Sequence, residues 1–97
     1  MTKVWNERAW EEYLYWQRQD KKAFSKINVL VKDISRTGYN CVGKPEPLKH
    51  ELSGWWSVEI DKKNRLIFRL SEIDDIKAIE ILSCKGHYEE LKTIENY

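Results

Sequence analysis

The chain is short of several residue types, and each shortage narrows its chemistry. Its 97 residues hold two cysteines, Cys41 and Cys84. These are too few and too far apart for a disulfide framework or a zinc site. Histidine is equally scarce, at His50 and His87 only, so no ligand cluster recurs at metal spacing. Nothing here calls for a metal or another cofactor. No apolar run approaches the roughly 20 residues that a membrane-spanning helix needs. The opening MTKVWNERAW carries charges where a secretory signal would be apolar, which reads as a cytoplasmic protein. Net charge is only +1, from 17 basic and 16 acidic residues. Affinity for free nucleic acid comes from neutralised phosphates, so a chain this balanced binds it weakly. With no helix-turn-helix in view either, a small transcription factor is a poor fit.

The small surplus of charge is unevenly placed. Residues 89–97 hold one Lys against three Glu, leaving 16 basic and 13 acidic residues in the preceding stretch. A mildly basic body carries an acidic tail. At this length there is room for one domain with one core. A hydrophobic fraction of 41% with five tryptophans is enough to build that core around large rings.

Two periods divide the body. Residues 2–5 read as a short strand, and Asn6 as the N-cap of a helix whose stripe is Ala9, Trp10, Tyr13, Leu14 and Gln17. Glu11, Glu12 and Arg18 fall on its other face. Asp20 can cap a second helix striped by Ala23, Ile27, Leu30, Val31 and Ile34, with Gly38 as its stop. Beyond Gly54 the period drops to two. Trp56, Val58 and Ile60 alternate with Trp55, Ser57 and Glu59, then Leu66, Phe68 and Leu70 with Arg65, Ile67 and Arg69. Asp61–Asn64 and Ser71–Asp75 are the turns, and Ile76–Cys84 is a third, more uniformly apolar strand, expected to be central or covered on both faces. The expected fold is α+β: a two-helix hairpin covering one face of a small twisted antiparallel sheet.

Only two prolines occur, and both flank Glu46 within Gly43–Gly54, GKPEPLKHELSG. They fix φ on either side of the carboxylate and remove two backbone donors. The segment is too polar for a core strand and too rich in proline for a helix. Read plainly, it is a helix-to-strand connection with solvated charges. Its composition also suits a rigid platform presenting Glu46, Lys49 and His50. Arg65 and Arg69 share the sheet face away from the helices, either as solvated residues or as the floor of an anion site. His87 comes after Gly86 where the sheet ends, a place poorly suited to packing and well suited to proton transfer near neutral pH.

A constrained glutamate, a lysine, a strand arginine and a histidine fit one reaction class, metal-free phosphodiester transesterification. RNA supplies its own nucleophile, the 2′-hydroxyl. The protein need only align it with the leaving 5′-oxygen, remove a proton from one side, supply one to the other and stabilise the phosphorane charge.

The same residues carry a resemblance. G43-K-P-E-P-L-K-H-E-L-S-G54, W55-W56-S57, R65-L-I-F68 and C84-K-G-H-Y88 closely resemble the YoeB/Txe family of toxin–antitoxin modules, within the RelE-like superfamily. V4-W5, the W10-E-E-Y-L-Y-W16 helix and the K26-I-N-V-L-V-K-D33 helix match it too, so the likeness runs almost continuously through residues 1–88. It implies a RelE-like toxin domain over 1–88 and a C-terminal extension, 89–97. The implied activity is ribosome-dependent endonuclease cleavage of mRNA in the A site, halting translation. Carried over by position, Glu46 is implied as general base, Arg65 as phosphate-stabilising cation and His87 as general acid. Lys49, His50 and Tyr88 are implied as substrate contacts. The implied partners are a cognate antitoxin of the YefM/Axe type, the ribosome with its mRNA, and a second copy in a homodimer.

Three departures stand out. Val58 and Glu59 occupy positions where well-known members carry paired arginines, and Asn64 one where histidine is frequent. The third is E89-E-L-K-T-I-E-N-Y97, added after the His-Tyr pair that ends familiar members. Its Leu91 and Ile94, with Tyr88, are spaced for a helical stripe, against the plainer expectation of a disordered overhang. Two rival readings remain: a RelE-like module that binds ribosome or antitoxin without cutting, and the superfamily's gyrase-poisoning branch.

Overall fold

A computed structural model describes residues 1–87. The expectations for Tyr88 and for the 89–97 extension lie outside the described residues.

The chain opens with β1 (Thr2–Trp5), then α1 (Glu7–Gln19) and α2 (Lys21–Thr37). Asn6 caps α1 as its sequence suggests, the Ala9 N–H donating to its side-chain oxygen at 2.8 Å. Asp20 both ends α1 and starts α2. Its own N–H donates to the Trp16 carbonyl at 3.0 Å, and its carboxylate accepts from Lys22 and Ala23. One residue thus closes the helical hairpin. Gly38 stops α2 in the left-handed region, at φ 65°, its N–H returning to the Ile34 carbonyl.

The apolar stripe of α2 is buried in full: Ala23, Ile27, Leu30, Val31 and Ile34. The stripe of α1 is turned. Ala9 and Trp16 are buried, whereas Trp10 is 46% exposed and Gln17 faces solvent. Glu12, expected on the polar face, points inward. Distant partners override the local period, because Trp16 and Glu12 both bond the end of the last strand. Trp10 instead joins an aromatic cluster, 5.6 Å from the Tyr13 ring and 6.0 Å from Trp5.

After the helices come β2 (Glu46–Pro47), β3 (Trp56–Glu59), β4 (Arg65–Ile73) and β5 (Ile76–Ser83). The sheet order is β1-β5-β4-β3-β2. The three-strand meander is present, and two further strands flank it. β1 pairs in parallel with β5, so the sheet is mixed rather than wholly antiparallel, and β5 lies inside it. β2 adds to the opposite edge against β3. The predicted Ser71–Asp75 turn is shorter than its polar composition suggests. β4 continues to Ile73, leaving Asp74 and Asp75 as a two-residue turn with φ of 51° and 66°, the sign that tight hairpins require.

Leu66 and Phe68 of β4, Ile79 and Ile81 of β5 and Val58 of β3 meet the α2 stripe in the main core. Each fully buried aliphatic side chain there contributes on the order of 1.5–3 kcal/mol. The other face has a core of its own. Leu48, Leu52 and Ile67 are buried together, with Trp55 and Leu82 packed against them. The Gly43–Gly54 segment is therefore anchored by its two leucines, which its polar sequence had obscured. Pairing slips between Ile67 and Phe68, whose partners are Ser83 and Ile81, leaving Leu82 as the extra residue of a bulge. Such a bulge bends its strand and re-aims the chain beyond it, here Ser83 to His87.

Candidate functional site

The face opposite the helices collects the chemistry. Directly opposed residues in a sheet project to the same side. Glu46 opposes Ser57, Ser57 opposes Ile67, and Ile67 opposes Ser83, so one row crosses four strands. In the neighbouring row Glu59 opposes Arg65. Glu46 and Arg65 therefore share a face, two strands apart.

The two leucines that bury the Gly43–Gly54 segment leave its polar residues outside. Glu46, Lys49 and His50 are all exposed. Backbone bonds close the segment on itself: Leu48 N–H to the Trp55 carbonyl at 2.9 Å, and Trp55 N–H to the Leu52 carbonyl at 3.0 Å. Residues His50–Leu52 form a single 3-10 turn, entered through His50 at φ 59°. Lys49 and His50 thus stand just beyond Glu46 on one rigid piece of chain.

His87 reaches Arg65 through its neighbour. The Arg65 N–H donates to the Gly86 carbonyl at 3.0 Å, and the Gly86 N–H donates to the Asn64 side-chain oxygen at 2.8 Å. Upstream, the Glu12 carboxylate accepts from the Cys84 N–H at 2.8 Å and from the Ser83 hydroxyl at 2.9 Å. The buried Trp16 ring N–H donates to the Cys84 carbonyl at 2.8 Å. These hydrogen bonds from α1, Asn64 and Arg65 hold the segment that carries His87. Glu12 and Trp16 gave no local signal, because their partners lie 72 and 68 residues away. The structure brings Arg65 and the His87 segment together and sets Glu46 across the same face. Lys49 and His50 lie on the Glu46 side.

The electrostatics are close to balanced. The Arg65 guanidinium lies 3.6 Å from the Glu59 carboxylate, which also faces Lys44 at 3.7 Å. Arg69 is committed elsewhere on the face: it pairs with Glu80 through two hydrogen bonds of 3.1 and 3.2 Å and stacks 4.3 Å above the Trp55 ring. Trp55 is thus a packing residue. Burial, the largest influence on Asp61, pushes its carboxyl up, but hydrogen bonds from Asn64 and Lys63 prevail and lower it. Burial pushes the Cys84 thiol far up and the Cys41 thiol up too, so neither supplies a ready thiolate nucleophile.

Glu46, Lys49 and His50 stand exposed on this sheet face. A cavity of about 610 Å³ beside the end of α2 is lined by residues such as Arg36, Leu70 and Lys77 and includes none of Glu46, Arg65 or His87. An open face suits a polymer better than an engulfed small molecule. Among the described residues no group of three His, Cys, Asp or Glu is placed to hold a metal ion, and no helix is long and apolar enough to cross a membrane.

Residues 5–88 match the family model described as the YoeB-like toxin of the bacterial type II toxin–antitoxin system. The chain belongs to this family. Toxin YoeB of Escherichia coli strain K12 is 47% identical over 88 residues, covering 91% of this chain and 100% of that protein. The YoeB/ParE toxin from Agrobacterium tumefaciens superposes with a TM-score of 0.85 at 38% identity, over 91% of this chain and 100% of that one. Two Staphylococcus aureus structures, a YoeB dimer and a YoeB–YefM complex, match with TM-scores of 0.79 and 0.78 at 42% and 39% identity, each over 91% of this chain and 98% of that one. A chain of the toxin–antitoxin complex RelBE2 from Mycobacterium tuberculosis shares the fold alone, at 20% identity and a TM-score of 0.61. The chain is thus a YoeB-family toxin with the RelE-like fold.

Proposed function

We propose that this toxin is a ribosome-dependent endoribonuclease that cuts mRNA by metal-free transesterification. The observation that carries the reading is the Arg65–Gly86 backbone bond, which ties the histidine-bearing turn to the strand arginine on the face where Glu46 also lies. Across that face the backbones of Glu46 and of the His87 segment are roughly three strand spacings apart, about 14 Å. On this reading the two side chains act on one phosphodiester, with Arg65 between them.

In this mechanism Glu46 takes the proton of the 2′-hydroxyl as its oxygen attacks phosphorus. The bond to the 5′-oxygen breaks, and that oxygen takes a proton from His87. A 2′,3′-cyclic phosphate and a 5′-hydroxyl result. Arg65 stabilises the charge on the phosphorane oxygens, and Lys49, His50 and Tyr88 contact the substrate. Positioned proton transfer contributes on the order of 10²–10⁴-fold, and the cation adds electrostatic stabilisation.

The near-neutral chain and the Glu59 carboxylate beside Arg65 suit a toxin that leaves RNA capture to the ribosomal A site. The same reading makes it a cytoplasmic protein held inactive by a YefM-type antitoxin and able to dimerise. The S. aureus complex and dimer support these two partners by likeness.

Primer extension across a translated message, after brief expression of the wild type, Glu46→Ala and His87→Ala, tests the proposal. Cuts within codons in the wild type only are expected. Growth arrest that persists undiminished in both variants would overturn the catalytic assignment. One observation favours a second reading, a module that binds ribosome or antitoxin without cutting: Glu59 occupies the Arg65 guanidinium. That module would give no cuts in any of the three.

A further inference from the structure

The Asn64 side chain links the β3–β4 loop to the His87 turn by a hydrogen bond. Its two polar atoms do different work. The Nδ2 group donates to both Asp61 carboxylate oxygens at 3.0 and 3.1 Å, and Oδ1 accepts from the Gly86 N–H at 2.8 Å. Only a group with a donor on one side and an acceptor on the other satisfies both partners, which fixes the orientation of the carboxamide. Asp61 is itself anchored. Its Oδ1 accepts from the Lys63 and Asn64 N–H groups at 2.8 Å each, and the Asn64 carbonyl receives the Ile60 N–H at 3.0 Å. The loop is therefore a rigid bracket. One residue further on, Arg65 closes the ring through its own N–H to the Gly86 carbonyl.

We infer that Asn64 is a positioning residue that sets His87 against Arg65 by clamping Gly86 to the β3–β4 loop. Glycine needs such a clamp: Gly86 has φ of 80° and no side chain of its own to hold the turn. Glu12 and Trp16 fix Cys84 upstream, but Lys85 separates Cys84 from Gly86. Asn64 holds Gly86 itself, beside the bond from Arg65. The role rests on the nuclease reading for its consequence in catalysis, whereas the clamp itself stands on geometry alone.

A reciprocal swap tests this. Asn64→Asp keeps the acceptor for Gly86 but sets a second carboxylate against Asp61, breaking the bracket. Adding Asp61→Asn restores a donor opposite an acceptor, with the total charge unchanged from the wild type. Amide hydrogen exchange on the full chain, read by NMR, should show the Gly86 N–H exchanging about tenfold faster in Asn64→Asp, the size of change a lost hydrogen bond of this kind produces. In the double variant it should return to within about threefold of the wild-type rate, on the same scale. The Leu70 N–H, bonded to the Tyr39 hydroxyl at 2.9 Å, reports in the same spectra that the fold is intact. Cleavage on programmed ribosomes should lose kcat with KM unchanged in the single variant and regain it in the double. Unchanged Gly86 exchange in Asn64→Asp overturns the clamp, and so does a loosened Gly86 that the swap fails to restore. A loosened Gly86 with full kcat overturns the positioning role. If the wild type itself does not cleave, the nuclease reading fails, and Gly86 exchange still decides the clamp.

Discussion

Glu59 opposes Arg65 in the β3–β4 pair and holds its carboxylate 3.6 Å from the Arg65 guanidinium. An RNA phosphate approaching Arg65 must compete with that carboxylate. Replacing Glu59 with Gln keeps the shape and removes the competitor. Partly exposed ion pairs of this kind are worth about 0.2–1 kcal/mol. Glu59→Gln is therefore expected to tighten RNA binding by about 1.4–5-fold, with the gain largest at low salt. Fluorescence anisotropy with a short single-stranded RNA across a salt series checks this. Unchanged or weaker binding would show that the pair does not gate the site.

Gly43 and Gly54 bound the same segment but carry different constraints. At Gly43, φ is 91°, and a Cβ would come within 2.9 Å of a Leu30 methyl and 3.2 Å of the Val58 Cβ. At Gly54, φ is 95°, and a Cβ would meet nothing within 4 Å. Gly54→Ala should cost only backbone strain, about 1–2 kcal/mol. Gly43→Ala adds overpacking, for roughly 2–4 kcal/mol in all. Thermal unfolding should separate the two by several degrees in Tm.

Trp16→Phe retains most of the buried ring area and deletes one donor. The Cys84 carbonyl then loses its 2.8 Å partner in a buried setting, which costs about 1–3 kcal/mol. Because Cys84 leads into Gly86 and His87, cleavage should fall along with stability. Urea denaturation paired with a cleavage assay checks both, and a variant of normal stability and activity would show that the bond carries neither.

Acid should destabilise the fold over a defined window. Hydrogen bonding from Arg69 lowers the Glu80 carboxyl from its ordinary value of 4.5, and hydrogen bonding from Arg36, then from the Val42 N–H, lowers Asp33 from 3.8. A group depressed in the folded state stabilises the protein above its unfolded pKa, and that stability is lost as pH falls through the folded value. Stability is therefore expected to hold from neutrality down to about pH 4.5 and to fall below it, with Glu80 contributing first. Glu80→Gln should be less stable at pH 7 and show a shallower decline below pH 4.5. Denaturation midpoints against pH give the test.

Elements with local causes were legible in the sequence. Asn6, Asp20 and Gly38 sit where their chemistry puts caps and stops, and the α2 stripe is buried residue for residue. Arg65 lies on the expected face because strand period alone assigns it. The features that stayed hidden depended on distant partners. β1 finds β5 in parallel more than 70 positions later. Trp16 and Glu12 turn inward for Cys84. Leu48 and Leu52 looked like isolated leucines in a charged loop until Ile67 supplied their partner across the sheet. The role of Asn64 was concealed similarly: it read as one polar residue of a turn, and only its bond to Gly86 gives it a second purpose.

Cleavage in the proposed mechanism turns on His87 giving its proton to the leaving 5′-oxygen while Glu46 works from the other side. Single-turnover cleavage on programmed ribosomes, with mRNA carrying sulfur in place of that bridging oxygen, tests it most directly. Thiolate leaves without a proton, so His87→Ala should cut the sulfur substrate at nearly the wild-type rate. On the oxygen substrate it should remain slow by about 10²-fold or more, the scale of general acid catalysis. Glu46→Ala should stay slow on both. A His87→Ala defect that is just as large with sulfur would contradict the assignment.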